Sequence, residues 1–188
     1  SEGNPLYLQL LCDGLIEGDY TLNKATQLPQ KMDDIYKNLL KRFGRTESTL
    51  DLLCLLSAAK DYLSPVMMAS LLEMDLGKLV SGPLNKSLEV LYENPMTSHL
   101  DDYQLFHESL REYIKLHYNT EVLRWEKRLA EWSLGWEDLI GEMKTYALRH
   151  GVTHLVDQHN RLLDEGGKAK DLFVTICNLV DREDYREA

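Results

Sequence analysis

His150 and His154 stand four residues apart, the spacing that sets two imidazoles on one face of a helix where they could share a metal ion. Gly151 between them reads as a helix end that would part the two rings, so neither is assigned to a metal and both are expected in structural roles. Gln158, His159 and Asn160 read as a solvated helix edge. Trp125, Trp132 and Trp136 recur with Leu129 at helical spacing, and such a stripe of rings belongs to a core more often than to a ligand pocket. Common catalytic signatures are missing: there is no GxxxxGKS/T phosphate loop, no GxSxG elbow, no HExxH zinc pair and no DxDxDG calcium loop. Cys12, Cys54 and Cys177 are odd in number, far apart and without CxxC spacing, which argues against a zinc knuckle or a disulfide framework and for a reducing, cytoplasmic compartment. From these residues alone the chain reads as a non-enzymatic helical domain.

The elements that must position these side chains make a mainly α protein in three segments. Residues 1–45 form a short helical domain, 46–118 a winged helix with a small β-hairpin, and 119–188 an all-helical region of helical-hairpin or solenoid-like type. In the first segment Asn4 and Pro5 occupy the cap and first-turn positions ahead of Leu6, Leu8, Leu10, Leu11 and Leu15. After the polar stretch Gly18 to Gln27, Met32, Ile35, Tyr36, Leu39, Leu40 and Phe43 recur at three- and four-residue steps. Asp33 and Asp34 at the front of this helix and Lys41, Arg42 and Arg45 at its back suit the macrodipole, and Gly44 supplies a left-handed stop.

In the middle segment Thr46 or Ser48 caps a helix through Leu50, Leu53 and Cys54 to Lys60, and Ser64-Pro65 opens another through Met68 and Leu72. A third helix spans Asp75 to Ser87, with Gly82-Pro83 predicting a kink or early break. Leu88, Val90 and Tyr92 alternate, Glu93 to Asp102 is polar and holds Pro95, and Tyr103, Leu105 and Phe106 are extended types, which together predict a hairpin. A further helix starts near His107 and carries Leu110, Tyr113 and Ile114 on one side. Within the last segment, an apolar stripe runs from Leu139 through Met143, Tyr146 and Ala147 to a stop at Gly151. Another runs from Val152 to Leu163 and closes at Gly166-Gly167, and a further stripe joins Ala169, Leu172, Phe173, Ile176, Cys177 and Val180. Short turns between successive helices suggest stacked hairpins, with no exact internal repeat.

The chain's 188 residues suffice for one or two small domains, and 44% apolar with 28% charged residues is ordinary for a folded protein. Thirty-one acidic against 21 basic residues leave a net charge of -10, which opposes phosphate backbones and anionic membranes. The middle segment holds 11 acidic and 5 basic residues, and its wing carries Glu93, Asp101 and Asp102 with no Lys or Arg. That balance counts against a winged helix that binds DNA. Apolar runs such as Leu6 to Cys12 fall well short of the roughly 20 residues that span a membrane, so no membrane partner is expected. The abrupt start at Ser1 reads as a piece cut from a longer protein.

Two stretches resemble motifs of the STAND-class signalling NTPases of the NACHT and NB-ARC type. Gly3-Asn4-Pro5-Leu6-Tyr7-Leu8 is similar to the GxP motif of the helical domain that follows their nucleotide-binding domain. Phe106-His107-Glu108-Ser109-Leu110-Arg111-Glu112-Tyr113 is similar to their winged-helix histidine motif, written MHD in one branch. Leu28-Pro29 followed by Asp34-Ile35-Tyr36 looks like the stretch after the GxP helix in the NACHT branch. The resemblance covers about residues 1 to 118, and the helical tail is similar to the spacer that leads into repeat sensors. Phe106 and Glu108 depart from MHD, and the P-loop, the acidic metal motif and the sensor arginine are not in this sequence.

The resemblance implies ADP/ATP as ligand, held together with an upstream nucleotide-binding domain of the same chain and not tightly by the fragment alone. His107 would grip the β-phosphate from the start of its helix, where backbone amides and the positive end of the dipole favour an anion, and Pro5 would offer its ring to adenine with Gly3 allowing close approach. It further implies a regulatory lid that closes over ADP at rest and rearranges on exchange for ATP, homo-oligomerisation on activation, and a C-terminal repeat sensor. The fragment itself would not be an enzyme. The alternatives are a non-enzymatic helical adaptor that binds another protein and, against the charge balance, a winged-helix DNA-binding regulator.

Overall fold

The structure, a computed structural model, describes residues 5–16, 18, 29, 31–43, 47–94, 102–166 and 169–186. Helix α1 (Pro5–Ile16) opens on a proline, whose missing amide costs nothing in a first turn. Tyr7 and Leu10 are buried on it, and the Tyr7 hydroxyl donates to the carbonyl of Pro29, which fixes the approach to the next helix. Helix α2 (Met32–Phe43) has Asp33 and Asp34 in its first turn and buries Ile35, Tyr36, Leu39 and Leu40, the stripe expected from the spacing. Gly3, Asn4, Leu28, Gly44 and Arg45 lie outside the described residues.

Helix α3 (Glu47–Ala58) is the centre of the winged helix: Leu52, Leu53, Cys54, Leu55 and Leu56 are all buried. It begins one residue before Ser48, which therefore lies inside the helix and is not its cap; Thr46 lies outside the described residues. It also ends at Ala58, short of the expected Lys60, because Arg111 Nη1 donates to the carbonyls of Leu56, Ser57 and Ala59 at 3.0, 3.1 and 2.8 Å. A charged donor thus takes the orphan carbonyls that another helical turn would have used. Helix α4 (Pro65–Leu71) has the expected Ser64 cap, whose hydroxyl accepts from Met67 N at 3.3 Å.

Helix α5 (Leu76–Leu79), capped by Asp75, passes into a π-helical turn at Val80–Leu84 and then into α6 (Asn85–Ser87). The break expected at Gly82-Pro83 is therefore absorbed as one widened turn, which makes room for the proline ring and its missing N–H without ending the helix. The alternation of Leu88, Val90 and Tyr92 overstates the strand. Leu88–Val90 continues the helical course as a 3-10 turn that still turns Val90 inward, and only Leu91–Glu93 is extended, as β1. β1 pairs antiparallel with β2 (Tyr103–Leu105), matching Leu91 with Leu105, Tyr92 with Gln104 and Glu93 with Tyr103. Tyr103 also exchanges backbone hydrogen bonds with Leu63, at 3.0 and 2.9 Å, which ties the sheet to the entry of α4. Phe106 is a bend, not strand, and delivers the chain to α7 (Glu108–His117). Pro95 and Asp101 lie outside the described residues.

In the carboxy-terminal segment α8 (Asn119–Leu134) is followed by a 3-10 turn at Trp136–Asp138, α9 (Gly141–Asp164), α10 (Lys170–Asp181) and α11 (Glu183–Arg186). Gly151 does not end a helix; α9 runs through it for 24 residues and merges two expected helices. α8 and α9 run antiparallel, with Glu126 paired to Arg161 at one end and Ser133 against Gly151 at the other. A Cβ on residue 151 would sit 2.9 Å from Ser133 Cβ, so the glycine allows the helix axes to close rather than marking a stop. Trp125 and Trp136 are buried and Trp132 packs partly buried beside them, so the trio is core; Trp136 takes its place from the 3-10 turn rather than from the helix. The main core is continuous from Tyr7 through α2 and the winged helix to Val122, Trp125, Leu129 and Tyr146, and a second cluster gathers Ala130, Trp136, Ala147, Leu155 and Leu179. Among the described residues no helix is long and apolar enough to cross a membrane.

Gly151→Val forces a branched side chain into the α8–α9 crossing. The expected loss is about 1–3 kcal/mol, read as a lower urea midpoint; an unchanged midpoint would mean that the helices are not held this close.

Candidate functional site

His107 joins the sheet to α7. Its backbone is extended (φ -150, ψ 140), as an N-cap requires, and its Nδ1 accepts from the Ser109 amide at 3.1 Å. A ring nitrogen that accepts an N–H cannot carry the proton of a neutral imidazole, so that proton stands on Nε2. The ring is exposed at the positive end of a ten-residue helix. Three of the first-turn amides expected to be free for an anion are engaged: Ser109 N by the ring, and Leu110 N and Arg111 N by the His107 carbonyl at 3.1 and 3.3 Å. Glu108, whose carboxylate would repel an anion, is drawn to Arg111 Nε at 3.2 Å.

Behind the ring lies a short chain of hydroxyls. Ser109 Oγ is 2.7 Å from His107 Nδ1 and 2.6 Å from the hydroxyl of Tyr36, a residue of α2 that is only 1% exposed. Burial pushes the Tyr36 phenol up, with the Ser109 hydrogen bond pulling the other way and Asp33 adding to the rise, so the phenol keeps its proton. Its ring leans on Tyr113 of α7, centroids 5.5 Å apart. Of the residues expected to bind ligand, then, His107 stands at the helix start where the sequence puts it. Pro5 is the first residue of α1, its ring outside the described residues, as is Gly3. Ser109 and Tyr36 carry the contact between the helical unit and the winged helix.

A second polar group, which sequence reasoning missed, sits where the winged helix meets α9. Lys60 N donates to the Tyr146 hydroxyl at 3.0 Å, and that hydroxyl is hydrogen-bonded to His154 Nε2 at 3.0 Å. His150 Nε2 lies 3.2 Å from Asp61 and Lys60 Nζ 2.6 Å from Asp157. Because α9 continues through Gly151, the two histidines share a helix face one turn apart, contrary to expectation. Each nevertheless has its own partner, and among the described residues no group of three His, Cys, Asp or Glu could hold a metal. His154 is 2% exposed, and its pKa is pushed down to about 4, first by burial and then by the charges of Lys60 and His150. The signal for this group in the sequence is the spacing of Tyr146, His150 and His154 at successive turns. A cleft of about 320 Å³ opens beside them, lined among others by Asp61, Tyr62, Asn94, Glu142 and Arg149.

No family model matches this chain, and neither does any curated protein or solved structure.

The buried His154 makes stability depend on pH. An unfolded imidazole takes up its proton near pH 6.5, whereas the folded one resists until about 4, so the unfolded state binds more protons between these values. The stabilisation is whole above pH 6.5 and is lost as pH falls to about 4, by up to about 3 kcal/mol. His154→Gln, which keeps an acceptor for Tyr146, should flatten the wild-type decline between pH 6.5 and 4.5 in chemical denaturation. Parallel curves for the two proteins would place the proton uptake elsewhere.

Proposed function

We propose that this region is the regulatory lid of a nucleotide-switched signalling ATPase of the STAND type, with α1–α2 as its GxP-bearing helical unit and α3–α7 as its winged helix. The observation that supports it is His107: an exposed imidazole whose Nδ1 is held by the Ser109 amide, at the positive end of α7 and on the position of the family's histidine motif. A neutral Nε2–H is suited to a phosphate oxygen, so the residue can respond to a diphosphate. Pro5 and Gly3 would meet the adenine side. The P-loop, the acidic metal motif and the sensor arginine would come from a nucleotide-binding domain earlier in the same polypeptide, so the fragment holds a lid and not a catalyst.

At rest His107 would hold the winged helix against ADP. Exchange for ATP would remove the favoured contact and bias the lid toward a second arrangement that permits homo-oligomerisation. α8–α11 would act as the spacer toward a repeat sensor.

The test is ADP affinity, by calorimetry, of the parent chain that includes its nucleotide-binding domain. A hydrogen bond to phosphate contributes roughly 0.5–1.5 kcal/mol when neutral and more when charge-assisted, so His107→Ala should weaken ADP about threefold to a hundredfold and ATP less. Unchanged ADP affinity in His107→Ala and Pro5→Ala, with folding intact, would overturn the lid and leave a helical adaptor as the better account.

A further inference from the structure

The hydroxyls of Tyr36 and Ser109 each have one proton to give. Nδ1 of His107 already faces the Ser109 N–H at 3.1 Å, so a lone pair stands there, and Ser109 Oγ at 2.7 Å makes a favourable contact with that nitrogen only by donating to it. Having given its proton, Ser109 Oγ can receive one, and the Tyr36 hydroxyl at 2.6 Å is placed to supply it. The three groups then run in one direction, and each donor polarises the next.

The opposite tautomer reverses both hydroxyl contacts and costs the Ser109 amide its acceptor. A proton on Nδ1 would meet the Ser109 N–H head on and leave that amide without its acceptor. Ser109 would have to reverse, and the Tyr36 hydroxyl, on a buried residue, would have to give up its donor role there. The charged groups near this corner do not supply a substitute: Glu108 is turned to Arg111, and Asp33 lies close enough to Tyr36 to favour its protonated form.

We infer that Tyr36 is the positioning residue of His107, acting through Ser109 to keep the imidazole proton on Nε2 and so making the exposed ring a hydrogen-bond donor to an anion rather than a ligand for a metal. Tyr36 belongs to α2 and Ser109 to α7, so the state of the ring is tied to how the helical unit sits on the winged helix. By linkage, an anion held at Nε2 favours the seated arrangement as much as seating favours the anion. The identity of that anion as the phosphate of a nucleotide rests on the lid proposed above; the proton arrangement does not.

The test reads the tautomer directly. In the full 188-residue chain, labelled with 15N and free of nucleotide, the two ring nitrogens of His107 are distinguished by their chemical shifts at a pH where the ring is neutral. The wild type should show the Nε2–H form. Tyr36→Phe, which keeps the buried ring, should raise the ratio of Nδ1–H to Nε2–H about threefold to tenfold, the worth of one hydrogen bond. Ser109→Ala should do the same, while Ser109→Thr, which restores the hydroxyl, should return the wild-type ratio.

An Nδ1–H ring in the wild type, or the same ratio in Tyr36→Phe as in the wild type, would overturn the inference whatever happens to nucleotide binding. A shifted ratio in Tyr36→Phe with ADP affinity of the parent chain indifferent to His107→Ala would support the relay and overturn the lid. A shifted ratio together with weaker ADP binding in Tyr36→Phe would support both.

Discussion

The arrangement depends on the burial of one helix. α3 buries Leu52, Leu53, Cys54, Leu55 and Leu56 in succession, and a helical stretch that is apolar all round has to be enclosed by neighbours. α2, α7, α8 and the turn around Pro83 supply the enclosure. The polar end of α3 then creates a second demand, since its last carbonyls are taken out of water with it. Arg111 answers from α7 with three hydrogen bonds. Its guanidinium also pairs with the carboxylate of Glu108 in the first turn of α7. The same residue that closes α3 therefore also engages the acidic neighbour of His107.

Two joints radiate from this centre, and they differ in kind. Toward the amino-terminal side the contact between α2 and α7 passes through the Tyr36 and Ser109 hydroxyls and the Tyr36–Tyr113 ring pair. Toward the carboxy-terminal side, the contact with α9 passes through Tyr146, buried and fixed by Lys60 N and His154, and through ion pairs at Asp61 and Asp157. Beyond it, α8 and α9 meet at Gly151 too closely to slide. A dense, apolar crossing is stiff because any displacement opens a void or a clash. The hydroxyl joint is the one that bears on the exposed histidine.

Much of this is legible in the residues. The stripe from Met32 to Phe43, the Ser64-Pro65 start, the Asp75 cap and the helix opening at His107 follow from side-chain period and capping chemistry, which act within a few residues. The expectations that fail share a cause. Gly151 predicts a stop from its strong local preference, yet packing overrides it, and the kink or early break read at Gly82-Pro83 takes the form of a π turn inside a continuing helix. Ser133 needs the space that Gly151 leaves, and a π turn lets the helix keep its buried leucines at Leu79 and Leu84. Leu88 and Val90 alternate as a strand would, although a 3-10 turn buries Val90 equally well.

The candidate site divides along the same line. Sequence by itself determined a mainly helical chain, the place of the small hairpin, and a histidine at the start of a helix, since each of these is set by neighbours along the chain. Tertiary structure alone decided that the Tyr36 hydroxyl meets Ser109 behind that histidine, because the two are 73 positions apart and meet only when α2 packs on α7. It alone decided that Tyr146 and His154 are buried beside Lys60, 86 positions away from Tyr146. The physical reason is that hydrogen-bond direction and desolvation depend on what surrounds a group in space, and for these residues the surroundings are assembled from distant stretches of the chain.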